Sequence, residues 1–189
     1  MSLCKSPAQF RKFKFELACD LIKHVQNDDV DGVRACAARG ATLDYAFDHA
    51  PEEQLRVADM AATHGSIKTL MFLKEKGHDV TALGLRRAAA AGHAAVLTYA
   101  DAAGVAFPAD IFDYVALSGD LDMANVAWSQ DCAPTPHTLA IALEHQHTCL
   151  VHFLVTCCRV PVDPSHVVMA RDTSLAAFLK TEKKKTTPL

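Results

Sequence analysis

The 189-residue chain has one tryptophan, three tyrosines and no apolar run near the roughly 18 residues that a membrane-spanning helix needs. Membrane insertion is therefore not expected. Its seven cysteines include no C-x-x-C pair and are odd in number, so reduced thiols fit better than a secreted disulfide framework. Residues 1–15 alternate basic, polar and aromatic side chains, without the apolar core of a secretory signal. There is no G-x-S-x-G, no glycine-rich phosphate loop and no H-E-x-x-H, and catalysis by this chain is not expected. Half of the residues are hydrophobic and 22% are charged, a globular composition that argues against disorder. The expected setting is the cytoplasm.

Charge of one sign is scarce in the middle of the chain. The net charge is −3, but residues 1–14 carry four bases and no acid, and residues 180–189 carry four lysines against Glu182. Between Asp101 and Asp163 eight acids face Arg159 alone. Such a surface repels phosphate backbones, so nucleic acid is not an expected partner. A solvated acidic face that aids solubility would look the same in sequence.

What the chain does have is a repeat. The segment Ala61-Ala62-Thr63-His64-Gly65-Ser66 returns 27 residues later as Ala88-Ala89-Ala90-Ala91-Gly92-His93. It returns again at Val115 to Asp120 with Gly119, and at Ala142 to His147 with Gln146 in the glycine place. A second mark keeps the same period through Gly77, Gly104, Asp131 and Cys158. Two marks sharing one period indicate a repeat architecture.

Each unit reads as two short helices around a glycine turn. In the second unit, Pro51, Glu52 and Glu53 suit a helix start, and the helix runs through Leu55 to Thr63. Gly65 then turns the chain, Ile67 to Leu73 returns, and Gly77 ends the pair. One pair cannot bury its apolar stripe alone, so the units must stack. From Gly40 to Gly77 the interval is 37 residues, which places an insert of about ten at residues 41–50. Its Tyr45 and Phe47 either fold back on the array or project as contacts.

The A-A-x-x-G-H element, clearest at Ala88 to His93 and followed by an aliphatic helix ending at Gly104, resembles the ankyrin repeat. The period is shorter than the usual 33 or so, and the T-P-L-H opening is absent. The chain is similar to short-period arrays in which a brief turn, here Asp131-Cys132-Ala133-Pro134, replaces the finger. The resemblance implies an all-α solenoid of helix pairs near 15–44, 51–80, 82–107, 108–134, 135–161 and 164–180. A basic segment 1–14 and a lysine-rich tail 181–189 would flank it. It also implies recognition of a partner protein, without a cofactor, on a concave face formed by the first helices and turns.

Carried over copy by copy, that face presents Arg56, Asp59 and Thr63, then Arg86 and Ala90. Asp110, Asp113 and Leu117 follow, and then His137 and Glu144. The acids among them favour a basic partner segment. Trp128 aligns with Lys74, Asp101 and Val155, which suggests an outward position on the convex side. A ring lying flat over Tyr99 or Val155 is the other possibility. The competing functional class is a structural subunit held in a larger assembly by its convex face and tails.

The densest reactive group is His145, His147, Cys149 and His152 with Cys157 and Cys158, which lacks a zinc-ligand spacing, so no metal is expected. His147 reads as a turn brace and Cys149 as part of the inward stripe. The aromatic, basic N-terminus admits a mitochondrial presequence, against which Pro7 and the few Ser and Arg count. Lys183 to Lys185 admits a nuclear address, and Thr187-Pro188-Leu189 fits a loose PDZ-type end.

Overall fold

Twelve α-helices, and no strand, make up the regular structure of residues 7–44 and 56–186, the parts of the chain that this computed structural model describes. The fold class is all-α. The helices are α1 (Pro7–Gln26), α2 (Val30–Ala38), α3 (Val57–Thr63), α4 (Ile67–Glu75), α5 (Ala82–Ala90) and α6 (Ala94–Ala102). They continue as α7 (Ile111–Ser118), α8 (Leu121–Ser129), α9 (Pro136–Glu144), α10 (Thr148–Thr156), α11 (Pro164–Met169) and α12 (Thr173–Thr186). Tyr45, Phe47 and the expected helix start at Pro51 to Glu53 lie outside the described residues.

The repeat is written into the backbone. Ten described residues have φ between 53° and 95°, and they fall into five couples, one at the turn and one at the end of each of the first five helix pairs. The couples are Asp28 with Gly40, Gly65 with Gly77, Gly92 with Gly104, Gly119 with Asp131, and Gln146 with Arg159. This conformation ends a helix by letting a following N–H reach back to its free carbonyls. Ser66 thus donates to Ala61 at 2.8 Å, His78 to Leu73 at 2.9 Å and His147 to Ala142 at 2.9 Å, each five residues back.

The last turn departs from that register. Arg159, and not the expected Cys158, is the left-handed residue, and Val160 donates six residues back to Leu154 at 3.0 Å. One extra residue after α10 displaces the mark by one. Three further boundaries differ from expectation. α1 begins at Pro7, inside the segment expected to precede the array, and α12 continues through Lys183 to Lys185. α3 starts only at Val57, because Arg56 is extended at φ −67° and ψ 150°.

The chain falls into two compact units, Met1–Ala88 and Ala89–Leu189, the division falling within α5. In the first unit α1 packs on α2 and α3, and α4 packs on α2 and α3. Leu17, Leu21 and Val25 of α1 are buried with Val33, Ala58, Leu70 and Leu73. In the second unit the first helices of successive pairs pack in a row, α7 on α9 and α9 on α11. The second helices form another row, α6 on α8 and α8 on α10. Between the rows lie Leu97, Ile111, Phe112, Met123, Leu139, Leu150 and Leu154, each worth about 1.5–3 kcal/mol of burial. Small residues at Ala100, Ala116, Ala124, Ala127 and Ala142 let the helices approach closely.

Candidate functional site

Two residues expected to face a partner, Asp59 and Asp113, instead tie one helix pair to the next. Asp59 is 2% exposed. Its carboxylate accepts the Thr81 backbone N–H at 2.7 Å and the Thr81 hydroxyl at 2.7 Å, at the start of α5. The third position of α5 is Gly84, where a Cβ would collide with Asp59 and with Val80. Asp59 is therefore not a contact residue of the outward face. The repeat alignment alone could not show this, since Arg86 stands at the equivalent position of the next pair.

The same division of labour operates at α4. Ser66 occupies its N-cap, but the Ser66 hydroxyl donates to the Val25 carbonyl of α1 at 2.6 Å and caps nothing. Asp28, left-handed at φ 53°, supplies the cap from the preceding pair. It accepts the N–H groups of Lys68 at 3.3 Å and Thr69 at 2.8 Å. A cap of this kind is worth about 0.5–2 kcal/mol.

In the second unit Asp113, two repeats on from Asp59, is engaged in a related way. It accepts the hydroxyl of Thr138 at 2.5 Å, and Thr138 in turn accepts the Thr135 N–H at 3.1 Å, starting α9. Thr138 donates its own N–H to Thr135 Oγ1 at 3.3 Å, which completes a reciprocal cap. His147 braces the neighbouring turn rather than its own. Its Nε2 lies 3.1 Å from the Leu117 carbonyl, and its ring fills the space that a Cβ on Gly119 would need.

The remaining expected contact residues keep a solvent face. In the first unit Arg56 is exposed, Arg86 is half-buried, and half-buried Thr63 donates its hydroxyl to the Asp59 carbonyl at 2.8 Å. In the second unit Ala90, Leu117, His137 and Glu144 are exposed, and half-buried Asp110 precedes α7. α7 and α9 pack together, so Asp110, Leu117, His137 and Glu144 share one helix row. Trp128, on the other row, is 42% exposed. Sequence reasoning missed Leu121, at 36%, and Val168, at 86%. The signal for Val168 was available: counting the extra residue after α10, it stands at the Asp59 and Asp113 position of the last described pair.

Cys149 is exposed, against its expected inward position, because Leu150, Val151, Leu154 and Val155 form the buried stripe of α10. His145 stacks on His147 with centroids 5.9 Å apart, and His152 packs on Phe178 at 4.2 Å. Among the described residues no group of three or more His, Cys, Asp or Glu is placed to hold a metal ion. Burial pushes the thiols of Cys36 and Cys132 up, and burial followed by the neighbouring Cys157 pushes Cys158 up to about 11. Among the described residues no helix is long and apolar enough to cross a membrane. No protein-family model matches the chain, and no curated protein matches it.

Proposed function

We propose that the chain is a protein-binding module, ankyrin-like in its repeat, that recognises a partner through the exposed residues of its first helices and carries out no chemistry of its own. The observation that carries this reading is the recurrence of left-handed couples, 12 residues apart in four pairs and 13 in the fifth. A chain that repeats one small scaffold, with its polar ties spent between pairs, leaves its variable residues on the helix faces. Stacked repeats use such faces as preformed binding surfaces, which lose little entropy on docking. Leu117, His137 and Glu144 of the Ala89–Leu189 unit are the contact residues in this reading; Asp59 no longer is, and Asp113 serves mainly as a tie. The partner is a protein with a basic segment.

Affinity purification with mass spectrometry tests it. The wild-type chain is compared with the triple variant Leu117→Lys, His137→Lys and Glu144→Lys. A set of proteins retained by the wild type and lost by an equally stable variant is the expected result. Identical sets would remove the first-helix row from the reading.

A further inference from the structure

We infer that the second-helix row of the Ala89–Leu189 unit is a docking surface for a basic peptide segment of another protein, with Trp128 as its anchor. This rests on the reading of the chain as a binding module and names a second face and the chemistry of its occupant.

The surface is built from α8. Leu121, Asn125 and Trp128 are spaced i, i+4 and i+7, so they share one stripe, and all three are exposed. The buried residues Met123, Ala124 and Ala127 hold the opposite side of the helix in the core. On the flanking helices the positions equivalent to Asn125 carry Thr98 and His152, both exposed. The face therefore has an aromatic centre among residues of little charge, the composition that sets the core of an interface apart from ordinary surface.

Along α8 its edge has one sign, and the lysines of the unit come only with α12, where Lys180 follows the Phe178 that packs on His152. Asp122 and Asp131 are exposed at the two ends of α8, and Asp101, equivalent to Trp128 in the preceding pair, is half-buried and accepts the Gln130 amide. From Ala89 to Ala170 the sequence has eight acids and one base, Arg159. Nucleic acid and anionic lipid are repelled by such an edge, while a lysine- or arginine-bearing segment is drawn to it. A cation of that segment can also lie over the exposed indole. An apolar residue flanked by bases satisfies both features, and that is the occupant.

The test is selection of displayed random 12-residue peptides on the full chain, followed by titration of tryptophan-free versions of the enriched sequences. Trp128 is the only tryptophan, so its emission reports on the site directly. Enriched peptides should combine Lys or Arg with an apolar residue and shift that emission to the blue. Their affinity, read by anisotropy of a labelled peptide, should fall roughly thirtyfold for Trp128→Ala and about three- to tenfold for Asp122→Asn with Asp131→Asn, at unchanged melting temperature. Enriched peptides that are neutral or acidic, or indifferent to these variants, would overturn the inference and leave the binding-module reading standing. No enrichment at all counts against both. Self-association of the full chain in sedimentation that is lost in Trp128→Ala would assign the face to a second copy, overturning the basic partner.

Discussion

The carboxylate of Asp59 takes the place of the side chain that Gly84 lacks. In α9 the third helical residue, Thr138, accepts the N–H of its own N-cap, Thr135, at 3.1 Å. In α5 that third residue is Gly84, and the N-cap N–H of Thr81 goes instead to Asp59 of the preceding pair at 2.7 Å. Removing the acceptor leaves a part-buried donor without its bond, so Asp59→Ala should cost about 1–3 kcal/mol in urea denaturation. Gly84→Ala should be destabilising too, because its Cβ meets Asp59 and Val80. The double variant should lose less than the sum of the two, since each removes part of the other's conflict. Strict additivity would mean that the two residues do not meet.

Asp28 caps α4 from a left-handed position, and two substitutions separate these roles. Asp28→Ala loses the cap and keeps the Cβ held at positive φ, while Asp28→Gly loses the cap but relieves that strain. Thermal melts should place the glycine variant about 1 kcal/mol above the alanine variant. Equal melting temperatures would contradict the backbone assignment at this turn.

The glycine turns are not equivalent either. Gly92, at φ 80°, has open space where a Cβ would stand, whereas at Gly119 the His147 ring occupies it. Gly92→Val should cost about 1–2 kcal/mol or more from backbone strain, and Gly119→Val should cost more still. Gln146→Gly, by contrast, relieves a side chain already held at φ 60° and should be neutral or slightly stabilising. Chemical denaturation of the three variants gives the order directly.

Acid sensitivity of the first pair follows from Asp29. The Gly32 N–H, and then the His24 ring, hold its carboxyl below the ordinary value. A folded value below the unfolded one means that the stabilisation is complete above the unfolded value of about 4 and is lost as pH falls through the folded one. NMR titration of Asp29 should therefore give a midpoint below that of a free aspartate, and Asp29→Ala should remove this part of the acid dependence. An ordinary midpoint would show that the α2 cap is not formed in solution.

The thiols should separate by exposure. Cys149 and Cys157 are exposed, whereas Cys158 is pushed up to about 11 and Cys36 and Cys132 are buried. At pH 8 a thiol with that value is thiolate in only about one molecule in a thousand. Iodoacetamide labelling followed by mass spectrometry should mark Cys149 and Cys157 first. Early labelling of Cys36 or Cys132 would mean that the helix pairs open readily.

Sequence alone determined the helix pairs, because both of their signals are local. A glycine or its substitute marks each turn, and an aliphatic helix follows at a fixed distance, so Gly65, Gly92, Gly119 and even Gln146 could be placed by spacing. The exposure of Trp128 was only half legible: two of its three equivalent positions are charged, but a ring lying flat over Tyr99 or Val155 fitted the sequence as well. Which polar residues face solvent was decided only by the tertiary structure. Asp59 and Asp110 look alike in sequence, both acids near a helix start or turn, but Asp59 meets the exposed end of α5 across 22 residues of chain. Ser66 likewise occupies a capping position and bonds Val25 instead, leaving the cap to Asp28. Helix ends carry unsatisfied N–H and C=O groups whose partners can come from any neighbour in space. No periodicity records which neighbour that is, so the ties between pairs, and the surface left over once they are made, emerged only when the pairs were packed together.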